Sequence, residues 1–198
     1  MKYPTVRPDR RSKPALLIID MINDLEFDEG ERLLEFARPA AANLKILKQR
    51  FRSAQLPIVY ANDNFGKWQS NFHSLVDHCV QTGIRGRELA EQLRPEADDY
   101  FILKPKHSAF YCTPLNLLLA HLTVDTLVIT GVATDICVLF TSNDAYMRDF
   151  RLFIPHDCVA ANSKIRSDAA LGSMQKVLKA DIGASTELDL ASLSQPSY

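Results

Sequence analysis

The sequence predicts a three-layer α/β protein, in which helices cover both faces of a mostly parallel, Rossmann-like sheet of six strands. Two observations support this fold class. Short apolar runs of strand length alternate with longer amphipathic stretches along the chain, as they do in repeated βαβ units. The apolar runs are hydrophobic throughout, which is typical of strands buried on both faces of a sheet.

The predicted strands are short apolar segments spread over most of the chain. The five strong candidates are ALLIID (15–20), PIVYAND (57–63), YFILKPK (100–106), TLVITG (126–131) and RLFIPHD (151–157). STELDL, at 185–190, is a weaker candidate for the sixth strand.

Amphipathic segments between these strands predict helices. The stretch 39–55 starts with a proline at a plausible first helical position, and its large apolar residues fall on one face. The stretch 113–122 also opens with Thr-Pro, and 134–150 and 167–180 begin at residues that cap helices. The long irregular segment 63–86 is interpreted as a lid or a contact between subunits.

Composition and charge restrict the class of function. The 198 residues are 46% hydrophobic and 24% charged, which fits one globular domain over 1–198 with an N-terminal arm at 1–13. A formal net charge of −1 gives no electrostatic basis for binding nucleic acid or an anionic membrane. The chain shows no secretion-signal pattern and no apolar run approaching about 18 residues. We therefore expect a soluble, cytoplasmic protein with neither nucleic acid nor a membrane as a partner.

Reactive side chains follow three of the predicted strands, at the ends where ligands bind in open parallel sheets. Asp20 closes the first strand, Lys104 lies at the end of the third, and Cys137 follows the fourth at the start of a helix. Each has an ordinary alternative role, as a cap, an edge lysine or a packed cysteine. Their coincidence on one edge of the sheet favours a catalytic site.

These three side chains suit acyl transfer to a thiol. A cysteine nucleophile needs a lowered pKa, and we expect the helix N-terminus and the Lys104 ammonium to lower the pKa of Cys137. Asp20 can take the thiol proton and pass it to a leaving amine. The backbone N–H groups of Ala133 and Cys137 can hold the oxyanion of a tetrahedral intermediate. The residues therefore predict hydrolysis of an amide or a similar bond.

Around these residues the sequence resembles the isochorismatase-like cysteine hydrolases, which include nicotinamidases, N-carbamoylsarcosine amidases and isochorismatases. LLIIDMINDLEF resembles the first strand of the family, and ILKPKHSAFYCTPL resembles its lysine segment. VITGVATDICVLFTSNDAYMRDFRLFIPHDCVAA is similar to its nucleophile segment. The resemblance assigns Asp20, Lys104 and Cys137 to the triad and implies a cis peptide bond between Val132 and Ala133. It also implies a homo-oligomer, a dimer or larger.

The sequence departs from isochorismatase-type members at two positions near the expected pocket. Ser108 stands where those proteins tend to carry aspartate, and Cys112 stands where they carry glycine. These changes leave the substrate open without affecting the triad.

A second departure concerns the metal site of nicotinamidases, which uses an aspartate, a histidine two residues later and another histidine. Asp63 is followed two positions later by Phe65, so the first histidine is missing, and only His73 and His78 remain. A histidine pair alone is weak evidence for a metal site. We expect no metal and no other cofactor.

The favoured function is a cysteine hydrolase that cleaves a small amide, ureido or carbamoyl substrate through a thioester. Two alternatives stay open: cleavage of a vinyl ether such as isochorismate with Asp20 as general acid, and a non-catalytic oligomer with a vestigial site. Four aromatic residues are candidates for the substrate pocket, with core packing as the alternative for each: Phe27, Phe65, Trp68 and Phe110.

Overall fold

The computed structural model describes residues 13–64 and 71–193, and it contains a parallel sheet of six strands in these residues. The strand order is β3-β2-β1-β4-β5, and β6 pairs with the carboxyl end of β4. The strands are β1 (Lys13–Ile19), β2 (Ile58–Asp63), β3 (Tyr100–Lys104), β4 (Val124–Val132), β5 (Arg151–Phe153) and β6 (Val159–Ala160). The predicted fold class is confirmed.

Helices connect the strands and cover the sheet. They are α1 (Gly30–Ser53), α2 (Phe72–Cys79), α3 (Arg87–Gln92), α4 (Leu115–His121), α5 (Leu139–Tyr146), α6 (Lys164–Leu178) and α7 (Leu190–Leu193). A π-helical turn, Thr134–Val138, leads directly into α5, and 3₁₀ turns occur at His156–Cys158 and Ser185–Glu187.

The sheet separates two hydrophobic cores, and β1 contributes to both of them. Leu16 and Ile18 pack with the buried residues of α1, α2 and α3 on one face. Leu17 and Ile19 pack with those of α4, α5 and α6 on the other face. Because successive strand residues point to opposite faces, a strand covered on both sides must be apolar at every position. This is why β1 is a continuous apolar run in the sequence.

Two secondary-structure predictions are wrong, the start of one helix and the position of the sixth strand. The first helix begins at Gly30, well before position 39, and Pro39 lies inside it. Pro39 and Glu35 are both exposed, so the carbonyl that the missing proline N–H leaves unpaired can bond to water. The segment 185–190 is not a strand, because its first residues form a 3₁₀ turn. The sixth strand is the two-residue β6, which is too short to show a strand pattern.

The segment 63–86 is partly helical, which corrects its prediction as irregular. The Asn71 side chain accepts a hydrogen bond of 2.9 Å from the Ser74 N–H and so caps α2. Phe72 and Val76 of this helix are buried in the first core. Phe65 and Trp68, two of the predicted pocket residues, lie outside the described residues.

Candidate active site

The carboxyl ends of β1, β3 and β4 lie at one edge of the sheet and bring together the reactive side chains predicted from the sequence. Asp20 follows β1, Lys104 is the last residue of β3, and Cys137 lies in the π-helical turn after β4. Lys104 Nζ lies 2.8 Å from Asp20 Oδ2 and 3.4 Å from Cys137 Sγ. A buried ammonium therefore contacts both a carboxylate and a thiol.

The end of β2 positions the first two of these residues. In the pairing of β2 with β3, Asp63 lies beside Lys104, and its Oδ2 is 3.6 Å from Lys104 Nζ. The Asp63 N–H donates a hydrogen bond of 2.7 Å to Asp20 Oδ1. Both Asp20 oxygens thus have a donor, which fixes the orientation of this carboxylate.

A glycine at the end of β4 brings the cysteine turn close to Asp20. Gly131 has a φ of 108°, and a Cβ atom at this position would lie 2.0 Å from the carbonyl oxygen of Ile19. No other residue type fits such an approach of two strands. The close contact places the chain after β4 against the end of β1, where Asp20 lies.

Burial strongly affects the two charged groups. Asp20 is 5% exposed and Lys104 is 0% exposed. Burial raises the pKa of Asp20, although the neighbouring Lys104 acts in the opposite direction. Burial alone would lower the pKa of Lys104, but attraction to Asp20, Cys137 and Asp63 outweighs it and raises this pKa. Lys104 therefore stays an ammonium, and Asp20 becomes a stronger base than an exposed aspartate.

The pKa of the thiol contradicts the expectation from the sequence. Burial and the negative charge of Asp20 raise the pKa of Cys137 to about 12, and the Lys104 ammonium offsets only part of this increase. The Cys137 side chain is therefore a protonated thiol at neutral pH. To act as a nucleophile it must give up its proton as it attacks, and Asp20 is the adjacent base.

The backbone before Cys137 has the conformation that the resemblance implies. The peptide bond between Val132 and Ala133 is cis. The Ala133 carbonyl accepts hydrogen bonds from the N–H groups of Ile136, at 3.0 Å, and Val138, at 3.2 Å. These bonds close the turn that carries the thiol. The role of the Ala133 and Cys137 N–H groups as an oxyanion hole stays a prediction.

His107 is a further residue at this site, and the sequence reasoning missed it. Its Nδ1 atom lies 3.9 Å from Cys137 Sγ, and its ring packs on Phe140 with 5.4 Å between the ring centres. Its side chain is exposed. The available signal was its position three residues after Lys104, in the loop that follows β3.

Comparison with known proteins identifies the family. Residues 14–184 match the model of the isochorismatase domain. This chain belongs to the isochorismatase family. It is 44% identical over 172 residues to the isochorismatase family protein YaaI of Bacillus subtilis, covering 87% of this chain and 94% of that protein.

Two solved structures extend the comparison. The N-carbamoylsarcosine amidase of Thermoplasma acidophilum is 29% identical with a TM-score of 0.66, over 89% of this chain and 99% of that one. The nicotinamidase PncA of Bacillus subtilis is 27% identical with a TM-score of 0.68, over 86% of this chain and 99% of that one. The protein is therefore a hydrolase of the isochorismatase family.

Ser108 and Cys112, the two positions at which the resemblance suggested a departure, both have structural roles. Ser108 is buried, and its hydroxyl donates a hydrogen bond of 2.5 Å to Asp144 Oδ2 in α5. The other oxygen of Asp144 accepts a hydrogen bond of 2.7 Å from Arg148. Cys112 is exposed and has a φ of 53°, a conformation that favours glycine. Both residues lie in the loop after β3. Within the described part of the chain, neither forms a hydrogen bond or ion pair with Asp20, Lys104 or Cys137.

Two predicted pocket residues lie elsewhere in the isochorismatase domain. Phe27 is 44% exposed and lines a surface depression together with residues of α1 and with Arg85, and none of the three reactive residues lines it. Phe110 is 5% exposed and packs in the second core, with its ring 5.9 Å from that of Phe150. Phe110 is therefore a core residue, which was the alternative considered for it.

The residues present do not fit a metal site of the nicotinamidase type. Asp63 lies beside the Lys104 ammonium, and residue 65, where the resemblance implies a histidine, is a phenylalanine. His78 Nε2 lies 3.1 Å from Asp24 Oδ2, and the His73 ring packs edge-on against Phe101. Within residues 13–64 and 71–193, no group of three or more potential metal ligands comes together.

None of the helices in the described part of the chain is long and apolar enough to span a lipid bilayer.

Proposed function

We propose that this isochorismatase-family hydrolase cleaves a C–N bond in a small amide, ureido or carbamoyl substrate, through a thioester on Cys137. The observation that carries the proposal is the position of the Lys104 ammonium, 2.8 Å from Asp20 and 3.4 Å from the thiol. The names of the two solved relatives, an amidase and a nicotinamidase, favour an amide-like bond.

The first half of the reaction forms the thioester. Cys137 Sγ attacks the carbonyl carbon while its proton moves to Asp20, and the raised pKa of Asp20 makes this transfer less unfavourable. The carbonyl oxygen becomes an oxyanion, which the N–H groups of Ala133 and Cys137 stabilise. Asp20 then gives the proton to the leaving nitrogen, the C–N bond breaks, and the amine departs.

The second half of the reaction returns the enzyme to its starting state. Asp20 takes a proton from water, and the resulting hydroxide attacks the thioester carbon. When the C–S bond breaks, the proton returns to Sγ and the acid product leaves. Lys104 remains charged throughout, and its ammonium stabilises the negative charge that passes between Sγ and Asp20.

Cleavage of a vinyl ether is the second candidate, and the raised pKa of Asp20 is the observation that favours it. An aspartic acid that keeps its proton can protonate a substrate carbon. That reaction assigns no covalent role to Cys137. The two functions are therefore distinguished by whether Cys137 is required. A non-catalytic role, the third alternative, requires neither residue to react.

The decisive experiment is a search for the acyl-enzyme. The protein is screened against small amides, ureides and carbamoyl compounds, and the reaction of any substrate is quenched in acid for intact-mass and peptide analysis. We expect an adduct on Cys137 that is absent in Cys137→Ala and present in Cys112→Ala, the matched control at an exposed cysteine. Full hydrolysis by Cys137→Ala would exclude the thioester and favour vinyl-ether or other acid chemistry.

A further inference from the structure

His107 differs from the other reactive groups of the site because it faces both the nucleophile and solvent. Its Nδ1 atom is 3.9 Å from Cys137 Sγ, and its side chain is exposed. Asp20 and Lys104, by contrast, are buried. The imidazole therefore offers a solvent-exposed polar group beside the thiol.

Two contacts hold the His107 loop in place. The carbonyl oxygen of Lys106 accepts a hydrogen bond of 3.4 Å from Lys104 Nζ, which ties the loop to the triad. The His107 ring packs on Phe140, at the start of α5. The imidazole is thus fixed on one side by the loop and on the other by an aromatic ring, as a recognition residue needs to be.

The charges around this loop favour an anionic ligand. Lys106 and His107 are consecutive and exposed, and among the described residues neither side chain pairs with a carboxylate. The nearby acids already have partners: Asp20 pairs with Lys104, Asp135 with Arg166 and Asp144 with Arg148. The rim of the site therefore presents N–H donors without a negative partner of its own.

We propose that His107 determines specificity by binding a carboxylate carried next to the scissile carbonyl, an inference that rests on the proposed thioester function. In a reactive complex the attacked carbon lies about 3–3.5 Å from the nucleophile. An imidazole nitrogen 3.9 Å from the same sulfur reaches groups one or two bonds away from that carbon. A carboxylate at this point accepts a hydrogen bond from an imidazole N–H, and the negative charge of the carboxylate strengthens this bond. The substrate class is therefore a small amide, ureide or carbamoyl compound with an adjacent carboxylate.

The test compares two alkylating agents that differ by one group. Iodoacetate carries a carboxylate beside the carbon that sulfur attacks, and iodoacetamide carries a neutral amide there. The rates of both at Cys137 are measured by peptide mass spectrometry, with exposed Cys112 as the reference thiol in the same molecule. We expect the iodoacetate-to-iodoacetamide rate ratio at Cys137 to exceed that at Cys112 by at least about tenfold, the effect of one hydrogen bond to a charged group.

Three variants test whether His107 causes this preference for iodoacetate. In His107→Phe, which keeps an aromatic ring beside Phe140 but has no donor, the ratio at Cys137 should fall to that at Cys112. In His107→Gln, whose amide can still donate, part of the preference should remain. In Lys106→Gln, the control for general positive charge, at least half of the preference should persist.

The proposal would be overturned by no preference in the wild type, by an unchanged ratio in His107→Phe, or by equal slowing of both reagents in that variant, which would place the effect on the thiol. A loss in Lys106→Gln as large as that in His107→Phe would also overturn it. Alkylation requires no hydrolysis, so these results are independent of the acyl-enzyme experiment. A Cys137 that forms a thioester but shows no iodoacetate preference leaves the proposed function standing and removes only the role of His107.

Discussion

Cys137 follows β4, and Cys158 immediately precedes β6, which pairs with the end of β4. Cys137 packs against the second core and Cys158 lies in the first, so the two thiols are on opposite faces of the sheet. Each thiol has an aspartate beside it, Asp20 in one case and Asp157 in the other. Burial and these carboxylates raise the pKa of both thiols to about 12. The thiol pKa therefore does not distinguish a reactive cysteine from a structural one here.

The surroundings of the two thiols do distinguish them. Cys137 is partly exposed and has the Lys104 ammonium at 3.4 Å. Cys158 is 0% exposed. Its neighbour Asp157 accepts hydrogen bonds from the backbone N–H of Ser185, at 2.8 Å, and from the Ser185 hydroxyl, at 2.7 Å. A neighbouring cation and access to solvent, rather than a low pKa, therefore support Cys137 as the proposed nucleophile.

The Cys158 region has a structural role. The Asp157–Ser185 bonds join the 3₁₀ turn His156–Cys158 to the 3₁₀ turn Ser185–Glu187. The Asn43 side chain of α1 donates a hydrogen bond of 3.0 Å to the Asp157 carbonyl. These contacts hold the segment after α6 against α1, and none of them involves Asp20, Lys104 or Cys137.

The largest difference between the two regions should appear on replacing each thiol. We expect Cys137→Ala to lower kcat/KM by at least about 10³-fold, because the proposed covalent nucleophile is removed. Cys158→Ala should change kcat/KM by less than about threefold and lower the free energy of unfolding by about 1 kcal/mol, since it leaves a small cavity. Steady-state kinetics on a substrate from the amide screen and urea denaturation measure the two effects. Equal kinetic losses in both variants would contradict the distinction.

A smaller effect concerns the charges that set the reactivity of Cys137. Asp20 raises the pKa of the Cys137 thiol, so Asp20→Asn should lower this pKa and increase the fraction of thiolate at pH 8. Lys104 lowers the pKa of the same thiol, so Lys104→Met should raise it. Each unit of pKa changes the fraction of thiolate about tenfold while the pH stays below the pKa. Iodoacetamide labelling should thus be faster in Asp20→Asn and slower in Lys104→Met than in the wild type.

Hydrolysis by the same variants separates nucleophile activation from proton transfer. Both should lose hydrolytic activity, Asp20→Asn because it cannot accept or return the proton. Unfolding of the site would speed the labelling of other cysteines as well. Faster labelling confined to Cys137, together with lost hydrolysis, would therefore indicate a direct effect of Asp20. Asp157→Asn, which removes the carboxylate beside Cys158, is the matched control. Slower labelling in Asp20→Asn would show that Asp20 does not hold the thiol protonated.

The sequence predicted the features that depend on the pattern of apolar and polar residues along the chain. Continuous apolar runs identified strands buried on both faces, and the ends of those strands identified Asp20, Lys104 and Cys137, because parallel strands end at one edge of the sheet. The sign of the Cys137 pKa shift was wrong for a physical reason. The helix N-terminus and Lys104 are visible in a sequence, whereas the depth at which the thiol is buried is set by the packing of both sheet faces.

Other features depended on contacts between distant segments. The isolated Ser185 and Asp157 look like loop residues in the sequence, and only the fold pairs them. His107 follows Lys104 closely in the chain, but its proximity to Cys137 arises from the turn after β4. No local pattern could have indicated either contact, since each joins segments many residues apart.

The smallest predicted effect on activity concerns Ser108. Ser108 and Ser185 are both buried serines that donate to an aspartate, but Ser108 lies at the base of the loop that carries His107. The Ser108 hydroxyl also accepts a hydrogen bond of 3.2 Å from the buried Phe110 N–H. We expect Ser108→Ala to lower the free energy of unfolding by about 2 kcal/mol, because it removes both this bond and the bond to Asp144, with kcat changed less than about threefold.

Ser108→Asp should be more destabilising than Ser108→Ala, because it places a second carboxylate against Asp144, whose oxygen lies 2.5 Å from the present hydroxyl. Adding Asp144→Asn to Ser108→Asp should restore most of the difference, since the amide can donate to the new carboxylate. Urea denaturation of the three variants measures these effects. A Ser108→Asp protein as stable as Ser108→Ala would mean that the loop can move away from α5. The His107 imidazole would then not be fixed by this side of the loop, and the iodoacetate preference at Cys137 should weaken in the same variant.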